Sequence, residues 1–351
     1  MVVLSRRSWT ASPPNDEGVL AADMTSTVEP RSRDGTRRHI DDLDVSGNES
    51  PVLALLESPN MTRICAPMVR YSKQSFRELV RLYSVDLAYT PMILAESFTC
   101  SAKARNADFS SSPTDRPLIV QVASHCPEQF ALAAEMVLPQ SDGIDINCGC
   151  PQRWAIQEHY GCWMLSRPDL VADMVSTARR RLPSSFTLSV KIRLVDDLRQ
   201  SVEFARRMEA ANVSFITVHG RTQTQRAEPP NLEAVKLIRD TVRVPVVHNG
   251  GVTALQQAEE IAATTGVAGI MVAQGLLNNP ALFDGYAHTP EACVRRFVDV
   301  ATEYGTQFSH FQHHLAYMLK DLLPRSDRHQ LNLLGSTAGI IDFLSDRGIV
   351  Q

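Results

Sequence analysis

Lysine is scarce in this chain. Only five, at positions 73, 103, 191, 236 and 320, stand among 35 basic residues. The remaining thirty are arginines, which suit bidentate phosphate contacts, but a bias this uniform reads first as composition. Long apolar runs are also missing: none approaches the roughly 18–20 residues of a membrane helix. Cysteine is sparse and odd in number, seven in 351 residues, with no framework spacing. That argues against a secreted disulfide scaffold and for a reducing compartment, by expectation the cytoplasm. Net charge is only −4, so nucleic acid would meet no global attraction and RNA binding would need a local basic patch. The GxGxxG turn of a dinucleotide-binding Rossmann unit is absent after the first strand-like run.

What is present divides into three parts. Residues 1–58, including SRRSWTASPPNDEG and EPRSRDGTRRHIDDLDVSGNESP, are rich in Ser, Pro and charge. They lack apolar periodicity, so a disordered N-terminal arm is expected. Arg6 and Arg7 hint at a transit peptide, but Asp16 and Glu17 follow quickly and amphipathicity is poor; an untargeted tail fits better. Residues 59–287 carry a repeating rhythm, and 288–351 read as a smaller helical domain.

In the middle part, the apolar runs RICAPMV, LAYTPMI, PLIVQVA, GIDINCG, TLSVKIRL, FITVHGR, VPVVHNGGV and GIMVAQGL alternate with segments such as PEQFALAAEMVL and LRQSVEFARRMEAAN. Apolar residues in those segments recur at three and four, as a helix packed on a sheet requires. Continuously apolar strands imply a sheet covered on both faces, hence parallel. Eight such units predict an α/β fold: a closed (β/α)8 TIM barrel, followed by C-terminal helices.

A barrel of this kind carries its chemistry at the C-terminal ends of the strands. Gathered there are Pro67 and Met68, Gln121, Asn147 with Cys150, Lys191 with Arg193, His219 with Arg221, Asn249-Gly250-Gly251, and Gln274-Gly275. Any one could be a satisfied core polar residue, but their alignment points to a site. Glycines in HNGGV and AQGLLNNP let backbone N–H groups approach a phosphate. Lys191, inside an apolar run, is costly to bury without an anionic partner. Gln121 offers both donor and acceptor to the edge of a heteroaromatic ring. Phosphate, cation and amide together suggest FMN. The cysteines of DINCGCP admit metal ligation, a redox pair, packing or acid catalysis. With His159 and Cys162 they spell C-x-C-x8-H-x2-C, but C-x-C is not a usual structural-zinc spacing and no metal is expected. Neighbouring side chains at a strand end also point apart, which disfavours a redox pair.

APM in the first strand, the Gln of IVQ, NCGCP, the Lys of VKIR, HGRT, NGG and the GLLxNP tail resemble the dihydrouridine synthase family, FMN enzymes that reduce uridine in tRNA. YTPMI, DINCGCPQRW and ITVHGRT resemble most the eukaryotic branch acting on D-loop uridines 20a and 20b. The resemblance implies FMN contacts by Ala66, Pro67, Met68, Gln121, Lys191, His219, Asn249, Gly250, Gly251, Ala273, Gln274 and Gly275. It also implies Asn147 as a substrate contact and Cys150 as the catalytic acid. Arg193 and Arg221, at neighbouring strand ends, are added as candidate substrate contacts. NADPH is the implied reductant, tRNA the partner, and a monomer the expected state.

The implied chemistry is hydride delivery from reduced flavin to uracil C6, with a proton supplied at C5. A thiol with a pKa near 8.5 is mostly protonated at neutral pH yet acidic enough to give that proton. Cys148 is then packing. The family usually has Arg where Gln274 stands, and smaller residues at His159 and Cys162. In the family the helical tail grips tRNA. Here six Lys/Arg face seven Asp/Glu from Tyr286 on, and Arg295, Arg296, Lys320, Arg325 and Arg328 are the patch candidates. The histidines at 288, 310, 313, 314 and 329 read as solvated helix residues. Competing functions are an FMN barrel oxidoreductase for a free small molecule, and an RNA-binding relic without catalysis.

Overall fold

All eight strand-like runs form strands. The computed structural model describes residues 50–350 and contains β1 (Thr62–Cys65), β2 (Leu87–Tyr89), β3 (Ile93–Leu94), β4 (Leu118–Ala123), β5 (Gly143–Cys148), β6 (Thr187–Leu194), β7 (Phe215–Thr222), β8 (Val246–Asn249) and β9 (Gly269–Val272). The order is β2-β1-β9-β8-β7-β6-β5-β4-β3, every pairing is parallel, and β2 also pairs with β4, which closes the sheet. β2 and β3 are one interrupted stave. Pro91 between them has no N–H to give, and Thr90 Oγ1 accepts the N–H of Gln121 at 3.1 Å. Eight staves with helices between them make a (β/α)8 barrel.

Side chains alternate between lumen and helix layer along each strand. Ile64, Leu87, Tyr89, Ile119, Phe215, Val247 and Met271 fill the lumen. Cys65, Val120, Ile144, Ile192 and Val218 pack outward against helices that include Gln74–Arg81, Pro127–Val137, Pro168–Arg179, Leu198–Ala210, Leu232–Thr241 and Leu255–Thr265.

The expected arm lies outside the described residues as far as position 49, but its expected reach to 58 is corrected. Ser50 caps a helix, Pro51–Leu56, by accepting the N–H of Leu53 at 3.3 Å. Six residues would not hold a helix alone in water. Val52 and Leu56 join the lumen cluster, each burial contributing roughly 1.5–3 kcal/mol. Ser50 Oγ lies 2.6 Å from Thr187 Oγ1 at the start of β6. The helix plugs the barrel end opposite the strand C-termini.

Helices Glu291–Glu303, Phe308–Met318, Arg325–Leu333 and Thr337–Ser345 follow the barrel. Their apolar residues share the barrel's outer core. His314, read from sequence as solvated, is 1% exposed. It stacks on Phe76 at 4.6 Å between centroids and donates through Nε2 to the Tyr71 carbonyl at 3.1 Å. Burial pushes its pKa down to about 3, so the ring is neutral. Among the described residues no helix is long and apolar enough to cross a membrane.

Candidate active site

β5 brings two polar residues into the lumen, one pleat apart. Asp145 sits beside Gln121 of β4 and Ser189 of β6, and Asn147 beside Lys191 of β6. Asp145 Oδ2 accepts the Nε2–H of Gln121 at 2.8 Å, and its Oδ1 accepts the Ser189 hydroxyl at 2.7 Å. An ionised carboxylate only accepts, so the Gln121 amide must turn its nitrogen toward Asp145. That leaves Gln121 Oε1 to accept from Asn147 Nδ2 at 2.8 Å. Asn147 Oδ1 is thereby aimed up the strand, where it accepts the N–H groups of Gly149 and Cys150 at 3.2 and 2.9 Å. Four side chains form one directed relay from the lumen to the cysteine loop.

Sequence reasoning missed Asp145, although the rule that flagged Lys191 applies to it equally: a charge inside an apolar run. It is completely buried. Burial raises its pKa to about 6 against the opposing pull of the Gln121 and Ser189 hydrogen bonds and the Lys191 charge.

Past the strand, Cys148 and Cys150 part company. Cys148 is buried in the outer layer with Ile146 and Ile192. Cys150 is half-buried and packs beside Ala123, Ala155 and Tyr160 on the other side. The Cys150 carbonyl accepts the N–H of Cys162 at 3.0 Å. Gly161 between them has φ +62°, and a Cβ there would stand 2.7 Å from Cys150 Cβ. Burial pushes the Cys150 thiol above its ordinary range, although a backbone hydrogen bond from Gln152 and the charges of Lys191, Arg193 and Arg226 pull the other way. At neutral pH it is a thiol.

Lys191 is half-buried and no protein acceptor among the described residues hydrogen-bonds its ammonium. Burial, then the nearby Arg193, lowers its pKa to about 8, with Asp145 the strongest opposing influence. His219, beside Arg193 in register, is driven down to about 2 by burial and by the Lys191, Arg193 and Arg221 charges. It is therefore neutral and can donate a hydrogen bond without adding charge.

Arg193, expected to meet substrate, is 9% exposed and committed to the scaffold. It donates to the carbonyls of Gly149 at 3.1 Å, Thr222 at 2.8 Å and Gln225 at 3.3 Å, tying the cysteine loop to the loop after β7. Arg221 Nε donates to the Glu228 carbonyl, and its Nη1 lies 3.4 Å from His219 Nε2. His219 lies over Gly250 and Arg221 over both Gly250 and Gly251, which have φ of +118° and +76°. A Cβ on Gly250 would stand 2.8 Å from the His219 ring, so glycine is needed there for backbone conformation and for space. His248 Nε2 donates to the Gly250 carbonyl at 2.9 Å and Asn249 Nδ2 to the Met271 carbonyl at 2.8 Å, fixing this turn. After β9, Gly275 is pressed on the Val252 carbonyl, 2.5 Å from where a Cβ would be. The two glycine loops thus touch. Exposed Gln274 donates to Asn278 Oδ1 at 3.1 Å. Across the mouth Ala66 and Met68 are buried and Pro67 half-buried.

These residues fit a flavin phosphate. A cation without a protein acceptor stands at the lumen mouth, and Arg221 lies over the Gly250–Gly251 turn, where His219 and Pro230 approach too closely for any residue but glycine. Gln121 keeps one N–H for a ring edge.

The chain is similar to known proteins. Residues 64–333 match the family described as Dihydrouridine synthase (Dus). Over 295 residues the chain is 46% identical to a mouse protein named as an NAD(P)+ tRNA-dihydrouridine(20a/20b) synthase-like protein, covering 84% of this chain and 91% of that one. A Schizosaccharomyces pombe protein named as a tRNA-dihydrouridine(20a/20b) synthase is 44% identical over 289 residues, with 82% and 88% coverage. A mouse protein named as a tRNA-dihydrouridine(16/17) synthase-like protein is 36% identical over 257 residues, with 72% and 54% coverage. The family match spans the barrel and most of the helical tail, and the chain belongs to the dihydrouridine synthase family.

Proposed function

We propose that this protein is a tRNA-dihydrouridine synthase that reduces uridines 20a and 20b of the D-loop, with FMN as cofactor and NADPH as reductant. The observation that carries the reading is the Cys150 loop, hung from Asn147 by two backbone hydrogen bonds at the mouth where Lys191 stands. The higher identity to the proteins named for 20a/20b than to the one named for 16/17 supports the position.

Bound FMN would supply the hydride for uracil C6. The protein's own residues do the rest. Cys150, kept protonated by burial, gives its proton to C5 as charge builds there. Lys191 offsets negative charge at the mouth, and neutral His219 donates a hydrogen bond. Gly250, Gly251 and Arg221 hold the phosphate. The target base must leave its stack to reach the lumen. Exposed basic side chains of the tail, among them Arg296, Lys320 and Arg325, meet the tRNA backbone.

Dihydrouridine mapping of tRNA from a strain lacking this protein tests the position. Loss at 20a and 20b, restored by the full chain, is the expected result. Unchanged dihydrouridine at both positions would remove the assignment. Extraction of flavin from purified protein tests FMN directly.

A further inference from the structure

The helix Arg153–Gln157 ends at Glu158, and His159 occupies the next position with φ +63°. That left-handed position after a helix is the one glycine fills by default, because a Cβ strains the backbone there. His159 is nonetheless exposed and points its ring at Trp163, with centroids 4.5 Å apart. From the neighbouring loop after β4, exposed His125 stacks on Tyr160 at 5.1 Å. The two imidazoles stand 6.4 Å apart at 82°, so they form a corner with one face and one wall. Each is backed by a larger ring. The corner flanks Gly161 and Cys162, which lie directly against Cys150.

Strain retained at one position, with an exposed ring as its product, points to use of that ring. Taking one base out of a stack deprives its neighbour of a stacking partner, and aromatic faces replace such a partner without regard to base identity. Glu96 and Glu158 lie within electrostatic reach of Tyr160 and Arg167 lies over Trp163 at 5.0 Å, so charge of neither sign dominates, and the two exposed ring surfaces suit the flat face of a base. Resting on the RNA substrate proposed above, we infer that His125 and His159 form a stacking corner for the nucleobase adjacent to the target uridine.

The test uses the full chain loaded with its flavin and transcribed tRNA. His159→Gly places glycine where the backbone favours it, so its melting temperature should hold or rise. Its KM for tRNA should rise about tenfold, the lower range for one lost base stack. His125→Ala should show a similar KM rise. A tRNA with an abasic nucleotide on one side of the target should lose about as much with wild-type protein, and little more with His125→Ala. KM values within twofold of wild type in both variants, or fully additive losses with both abasic tRNAs, would overturn the corner alone. If wild-type protein forms no dihydrouridine on any tRNA, the functional reading falls first and the corner with it.

Discussion

Asn147 Oδ1 accepts the backbone N–H of Cys150 at 2.9 Å, and Asn147 can present that oxygen because its nitrogen is held by Gln121. The orientation originates at Asp145, a group that can only accept while ionised. Asp145→Ala should leave the Gln121 nitrogen without its partner and let both amides flip, lowering turnover on the order of tenfold or more. Asp145→Asn can still present an oxygen to Gln121 and a nitrogen to Ser189, and should retain most activity. Equal losses in kcat for the Ala and Asn variants would show that charge, not orientation, is what Asp145 supplies.

The two thiols of DINCGCP give a sharper contrast. Cys150→Ala should keep flavin and tRNA binding but lose dihydrouridine formation by roughly 10²–10⁴-fold, the range for a general acid. Cys148→Ala, a change in the outer core, should affect stability more than chemistry. Because burial holds the Cys150 thiol above its ordinary value, the alkaline fall in kcat should lie above about pH 8.5. Wild-type rates in Cys150→Ala would end its assignment as acid.

Asp145 and Lys191 place two opposite charges in the barrel lumen, and each is shifted toward its neutral form. Between an ordinary value of 3.8 and about 6 the folded protein holds the Asp145 proton that the unfolded chain has released. Stability from this group therefore falls as pH rises through that window. For Lys191 the folded state binds fewer protons between about 8 and 10.5, so its contribution rises with pH there. Flavin-free Asp145→Asn should melt above wild type at pH 7, with the gap closing toward pH 4. Lys191→Met should also melt higher at pH 7 while retaining less flavin. Normal flavin content and turnover in Lys191→Met would remove Lys191 from the site.

The tail should bind tRNA by counterion release, with affinity falling steeply as salt increases. Deleting it would strip the outer core around Phe76 and His314, so charge reversal is the cleaner probe. Lys320→Glu combined with Arg325→Glu, both at exposed positions, should weaken tRNA binding and reduce the salt slope by about two. An unchanged slope in the folded double variant would place the RNA contacts elsewhere.

The barrel was legible because its information is local. Apolar runs and three-four spacing lie within a dozen residues, and a lysine inside an apolar run or a double glycine at a strand end announces itself there. The opposite facing of Cys148 and Cys150 was not local information of this kind: a pleat puts residues two apart on one face, and the two thiols part because β5 ends at Cys148 and the chain turns before Cys150. Other features needed closure of the sheet. PVLALL is a six-residue apolar patch in a polar stretch, and only the open end of the barrel gives Val52 and Leu56 something to cover. Arg193 looked free at a strand end, yet the end of β7 and the loop after it supply two carbonyls about thirty positions away. His314 met Phe76 only when the tail folded back. Asp145 passed as one more residue of GIDIN until β4 and β6, 24 positions before it and 44 after, brought Gln121 and Ser189 alongside. Periodicity reports which face a residue takes; the partner waiting on that face comes from distant sequence, and for the relay that partner decides which way each amide points.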